Sequence, residues 1–166
     1  MRAATAADTE LLVRHNRGMW LDIGLFPTKV VFASAPAYRR WLRREMRAHR
    51  YHGFIAETLE GAAVASGAVW LQPVQPRPGI MAGTESPYVM SMYTEPEFRG
   101  RGLASRLVES MIQWSRHRRY SRITLHASKQ GHPVYERLGF ADSNEMRYML
   151  RPFPKGPPRA RPARQH

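Results

Sequence analysis

The chain has 166 residues, enough for one domain with a real core, and no cysteine, so disulfides, thiolate metal sites and cysteine nucleophiles are excluded. No apolar run approaches the roughly 20 residues of a membrane-spanning helix, and Met1 to Glu10 lacks an apolar leader core, so a cytoplasmic protein is expected. The net charge is +13, almost all of it from arginine, a bias that a GC-rich genome also produces.

Arg2 to Ala4 suits a short first strand. Thr5-Ala6-Ala7-Asp8 reads as a capping box, and Leu11, Leu12, His15 and Met19 follow at helical spacing. Gly24 and Pro27 should end that helix. Ser34 is expected to cap a second helix, with Pro36 in its first turn and Tyr38, Trp41, Leu42 and Met46 as its apolar stripe. Six arginines between 39 and 50 flank that stripe, either as a solvated face or as a cationic rim for an acidic ligand.

Gly53 to Leu59 and Ala63 to Leu71 read as a hairpin. Residues 73–87 hold four prolines and two glycines and should form a long irregular loop. Tyr88 to Thr94 is the next strand. A helix from Gly102 to about His117, a strand over Arg122 to Ala127 and a short helix from about His132 to Leu138 follow, the last ended by Gly139. Met146 to Leu150 is the expected last strand. Residues 151–166 are basic and proline-rich, so a disordered tail is expected after a single domain over 1–150. The order β-α-α-β-β-β-α-β-α-β does not suit successive βαβ units. It predicts an α/β (α+β) fold with a mixed sheet flanked by helices.

Two segments carry chemistry. Met92 to Ala104 reads as a strand, a glycine-rich turn and a helix start, which points backbone N–H groups at an anion. Downstream stands Pro133-Val134-Tyr135-Glu136-Arg137-Leu138-Gly139-Phe140. Together they resemble the Gcn5-related N-acetyltransferases. That family's pyrophosphate loop runs Gln/Arg-x-x-Gly-x-Gly/Ala, which Arg99-Gly100-Arg101-Gly102-Leu103-Ala104 fits in full. Its later motif runs Asn-x-x-Ala-x-x-Leu-Tyr-x-Lys-x-Gly-Phe. Residues 128–140 keep that register, with Ser128 for asparagine and Gly131 for alanine. The match covers residues 88–150.

The resemblance implies a sheet, mostly antiparallel, that splays where acetyl-CoA enters. It implies pantetheine pairing along Met92, Tyr93 and Thr94, and pyrophosphate held by Arg99, Gly100, Arg101, Gly102, Leu103, Ala104 and Ser105. Ser128 would stand in for the asparagine contact, and Tyr135 would protonate the departing thiolate. The implied activity is direct transfer of an acetyl group from acetyl-CoA to a primary amine, small molecule or peptide. A CoA-binding sensor without turnover is the alternative.

The acceptor amine must lose a proton before it attacks, and three residues are candidate bases. Glu57 ends a strand, where a carboxylate could face the cleft, and is the leading candidate for the catalytic set; Glu95 and His126 are the others. The histidines show no metal-ligand spacing, so no metal is expected. No serine sits in a nucleophile elbow; the lack of a nucleic-acid motif argues against nucleic acid as a partner, and the lack of a long apolar run argues against a membrane. A homodimer is compatible with the sequence.

Overall fold

A computed structural model describes residues 1–75 and 84–146, together with Tyr148 and Leu150. Among the described residues, five strands form one sheet: β1 (Arg2–Ala3), β2 (Tyr51–Glu57), β3 (Ala63–Pro73), β4 (Glu85–Thr94) and β5 (Thr124–Leu125). They lie side by side in that order. The first three pairings are antiparallel and β4–β5 is parallel, so the sheet is mixed and mostly antiparallel, as expected.

Four α-helices among the described residues flank it: α1 (Thr9–Ile23), α2 (Thr28–Arg47), α3 (Leu103–His117) and α4 (His132–Arg137). β3 is central and buried on both faces, with alternate side chains serving two cores. Ala65, Val69 and Leu71 pack with Leu107 and Met111 of α3. Ala68 packs with Leu12 and Val13 of α1 and with Ala35 and Leu42 of α2.

The Thr5–Asp8 box forms, and the Thr5 backbone N–H donates to Asp8 Oδ2 at 2.7 Å. Arg2 clamps the same carboxylate at 2.7 and 2.8 Å, holding the Asp8 pKa down to about 2. Gly24 ends α1 at φ +67°, a conformation that costs glycine little. The second helix differs from expectation. It starts six residues before Ser34, with Pro27 at its cap and Pro36 inside. The Ser34 hydroxyl donates back to the Val31 carbonyl at 2.8 Å instead of capping. Val31, Ala35 and Leu42 continue one buried stripe across the proline, and that burial outweighs the hydrogen bond Pro36 removes.

The arginine-rich flank is largely self-paired. Arg39 forks onto Glu10 at 2.7 Å, and Arg43 lies 3.5 Å from the same carboxylate. Arg44 and Arg50 each reach Glu45 at 2.8 Å. Glu45 is 2% exposed and also accepts from Trp70 Nε1 of β3 at 3.2 Å.

Three strand expectations need correction. The β3–β4 ladder runs on through Pro73↔Glu85, so the irregular connection is shorter than 73–87, and its residues 76–83 lie outside the described set. The strand expected at Arg122 to Ala127 shrinks to Thr124–Leu125, because β4 turns away and leaves His126 onward unpaired. Of the expected last strand, Met146, Tyr148 and Leu150 are exposed and belong to no strand, and a two-residue β5 offers little edge to template one. Arg147, Met149 and residues 151–166 lie outside the described residues, so the expected tail does too. No helix among the described residues is long and apolar enough to cross a membrane.

Candidate active site

The site begins with an irregularity in β4. Ala68 pairs with Met90 but Ser66 pairs with Tyr93, so β4 carries an extra residue opposite Gly67. Ser91 takes φ +54° there, in the left-handed region a serine seldom visits. It is held by both helices of its face: Asn16 Nδ2 donates to Ser91 Oγ at 3.2 Å, and Tyr38 Oη lies 3.2 Å from it. A Cβ on Gly67 would fall 2.2 Å from Met92 Sδ and 2.7 Å from Met111 Cε, so both methionine side chains pack directly onto this glycine.

Bulges bend strands. β4 and β5 share only Tyr88↔Thr124 and Val89↔Leu125 before they part. Among the described residues, the edge of β4 away from β3 therefore has no neighbouring strand over Met92 to Thr94. A cleft of about 500 Å³ opens there. One wall is Met92, Tyr93, Thr94, Phe98, Arg99, Gly100, Gly102, Leu103, Ala104 and Ser105; the other is Ser128, Gln130, Gly131, Val134, Tyr135 and Arg137.

Gly100 and Gly102 take φ of +74° and +73°, and a Cβ on either would meet nothing within 4 Å. Their need is conformational, and the space above them is open. Gly102 caps α3, whose first helical bond runs from Arg106 N–H to the Gly102 carbonyl at 3.1 Å. The N–H groups of Leu103, Ala104 and Ser105 have no acceptor within the helix and form a positive end at the cleft. Arg99 braces this loop, donating to the Thr94 carbonyl at 2.9 Å and to Asp22 of α1 at 2.7 Å.

On the facing wall, Ser128 Oγ accepts the Gly131 N–H at 3.1 Å. A Cβ on Gly131 would lie 3.0 Å from Tyr135 Cε2 and 3.3 Å from Ser128 Oγ, so this glycine lets the ring lie close. The Tyr135 ring meets Phe140 edge-on at 5.8 Å. Burial, then the nearby Tyr88, pushes its phenol pKa above 10, so it stays protonated at neutral pH.

Among the sequence candidates, the cleft gathers Met92, Tyr93, Thr94, Arg99, Gly100, Gly102, Leu103, Ala104, Ser105, Ser128 and Tyr135. Arg101 is not on its wall. Its guanidinium donates to the Glu97 carbonyl at 3.1 Å and lies over the Phe98 ring. Glu57 is also elsewhere, at the end of β2 in a 2.7 Å ion pair with Arg2. Glu95 lies just past β4, 3.2 Å from Arg14 and 3.3 Å from the Nε2 of fully buried His15. Burial lowers the His15 pKa against the pull of Glu95, and its Nδ1 lies 2.8 Å from Ser66 Oγ.

Sequence reasoning missed Asn16, Tyr38 and Ser91, which fix the bulge, and Gly18. A Cβ on Gly18 would sit 2.5 Å from Tyr93 Cζ. A glycine inside a helix and a serine inside an apolar strand were the available signals. Among the described residues no three His, Asp or Glu side chains are placed to hold a metal ion.

The sequence profile described as "Acetyltransferase (GNAT) family" matches residues 19–140. The chain belongs to the GNAT acetyltransferase family. It is therefore an acyltransferase by family. A GCN5-related N-acetyltransferase from Ralstonia eutropha JMP134 superposes with a TM-score of 0.82 at 26% identity, covering 90% of this chain and 96% of that one. A protein from Clostridium acetobutylicum described as a predicted acetyltransferase, solved with acetyl-CoA, gives 0.79 at 27% identity, covering 89% and 93%. Glucosamine 6-phosphate N-acetyltransferase of Trypanosoma brucei brucei is 31% identical over 91 residues. That match takes in 54% of this GNAT chain and 59% of the trypanosome protein.

Proposed function

We propose that this GNAT protein transfers an acetyl group from acetyl-CoA to a primary amine of a small molecule, within one ternary complex on a domain spanning residues 1–150. The observation that carries the reading is the convergence, in one cleft, of a glycine cradle, an unpaired strand edge and a protonated, half-buried tyrosine.

The cradle fits a pyrophosphate. The space above Gly100 and Gly102 is open, and three N–H groups without helical acceptors face it. The free edge of β4 over Met92 to Thr94 fits an extended arm with amide groups, as an added strand would. Acetyl-CoA supplies the acyl group already activated as a thioester. Ser91 and its partners fix where β4 bends, and so where the acyl end comes to rest. Tyr135 holds a proton for the departing sulfur. A phenol raised above its ordinary pKa keeps that proton until the leaving group develops charge.

The acceptor approaches from the α1/α2 face, opposite the α3 and α4 side that forms the cradle. The trypanosome relative's name makes amino sugars and their phosphates the first acceptors to test. The experiment is a panel of amino sugars, aminoglycosides, amino acids and polyamines, read by free thiol released from acetyl-CoA. With no cysteine in the chain, every thiol detected is CoA. Thiol release with one amine class, and acetylated product by mass spectrometry, is the expected result. Tight acetyl-CoA binding with no release from any amine would support a sensor instead.

A further inference from the structure

We infer that Tyr88, His126 and Glu145 form a relay that removes the acceptor amine's proton, with Tyr88 as the group that touches the amine. This rests on the transferase reading above. An amine of lysine type, with pKa about 10.4, is neutral in only about one molecule in 2,500 at pH 7, so an unassisted site would idle.

Position is the first argument. Val89 and Leu125 pack into the α3-side core, whereas Met90 packs into the α1/α2-side core. Strand alternation therefore puts Tyr88 and His126 on the α1/α2 face. Tyr88 stands one residue before Val89↔Leu125, the last β4–β5 pair, and His126 is the first residue beyond β5, beside the apex where the two strands part. An amine reaching through that gap toward the bulge at Ser91 passes alongside this pair.

Connectivity is the second. Tyr88 Oη is hydrogen-bonded to His126 Nδ1, and His126 Nε2 lies 2.9 Å from Glu145 Oε1. A carboxylate only accepts, so Nε2 carries the hydrogen and Nδ1 is the bare nitrogen that receives the Tyr88 hydroxyl. The amine's proton passes to a lone pair of Tyr88 Oη as Tyr88's own proton passes to Nδ1. The positive charge leaves the amine and appears on the imidazole, where Glu145 balances it. The freed nitrogen lone pair is then the nucleophile.

Elimination is the third. Glu95 is engaged by Arg14 at 3.2 Å and lies 3.3 Å from buried His15, and Glu57 lies two strands away in its pair with Arg2. A base must come within hydrogen-bond reach of the proton it takes, or one water away. The titratable groups bonded to His126 among the described residues are Tyr88 from β4 and Glu145 from the segment after α4.

The test uses Tyr88→Phe, His126→Ala and Glu145→Gln in the full chain, with an amine that wild type turns over. Acetyl-CoA affinity, kcat from pH 6 to 9.5 and the ring ¹⁵N shifts of His126 are measured. Tyr88→Phe and His126→Ala should lower kcat at pH 7 about 10²-fold with acetyl-CoA affinity unchanged. Their rates should climb about tenfold per pH unit, since only amine that is already neutral reacts, while wild type rises less steeply. Glu145→Gln, exposed and isosteric, should fall less and should shift the His126 ring signals, as should Tyr88→Phe. Wild-type kcat at pH 7 in either of the first two variants, or an equal loss at every pH, overturns the relay and leaves the transferase reading standing. No thiol release by wild type with any amine overturns both.

Discussion

At Gly102 the chain holds φ +73° with nothing above it, and this position tests the cradle most directly. Gly102→Glu adds a carboxylate beside the open N–H groups of α3 and strains the left-handed backbone. Acetyl-CoA binding should fall beyond detection by calorimetry, while circular dichroism stays that of a folded protein. Unchanged affinity would remove the loop from the binding site. Tyr135→Phe asks a different question, since the ring that meets Phe140 remains. Affinity for acetyl-CoA should hold, and kcat should fall by about 10²-fold, the lower part of the range for positioned acids. Turnover equal to wild type from pH 6 to 9 would make Tyr135 a packing residue. The loop residues were legible in the sequence because glycine spacing and a strand-to-helix switch are local signals. Glu57 was not placeable that way. Its surroundings depend on Arg2, 55 residues earlier, and no local pattern announces that ion pair.

At the scale of elements, the C-terminal end of α2 is stapled to the sheet through Glu45. Hydrogen bonds from Arg50 oppose burial and, with those from Arg44 and Trp70, hold its pKa down to about 2 from 4.5. A depressed carboxylate stabilises the fold above its unfolded pKa, and that stabilisation is lost as pH falls from about 4.5 toward 2. Glu45→Gln should cost about 2 kcal/mol at pH 7, roughly 4–8 °C of Tm for a domain of this size. Its Tm should also fall less than that of wild type between pH 4.5 and 2, as differential scanning calorimetry would show. The start of α2 was misplaced for a related reason. Ser34 and Pro36 form a convincing local start signal, but the stripe through Val31, Ala35 and Leu42 is read only against the sheet that buries it. Likewise, the length of β5 was set by the bulge in its neighbour, a pairing fact absent from its own residues.

For the whole molecule, the +13 charge is more subdued near the cleft than the count implies. Arg99 is committed to Asp22, and three arginines of α2 together with Arg50 are committed to Glu10 and Glu45. The remaining positive field acts at long range and is screened by salt, with a Debye length of about 10 Å at 0.1 M. Raising NaCl from about 50 to 300 mM should therefore weaken acetyl-CoA binding several-fold. Calorimetry against a polyanion-free control ligand checks it, and affinity indifferent to salt would assign recognition to the backbone amides alone. The mixed sheet with helices on both faces was legible from element order, because strand and helix periodicities differ so strongly here. The division of labour between the faces was not, since it follows from how β3 alternates its side chains.

That division has a practical consequence for protein engineering. The cradle side and the α1/α2 side share β4 but keep separate cores. Apart from Asp22, which braces Arg99, side chains on the solvent and cleft rims of α1 and α2 can be randomised in a library without touching the glycine loop or α3. The tether at Asn16, Tyr38 and Ser91 is the part such a library must leave alone, because it sets the bend on which both halves are hung. Selection for a new acceptor would then begin from a chassis whose cofactor half is already built.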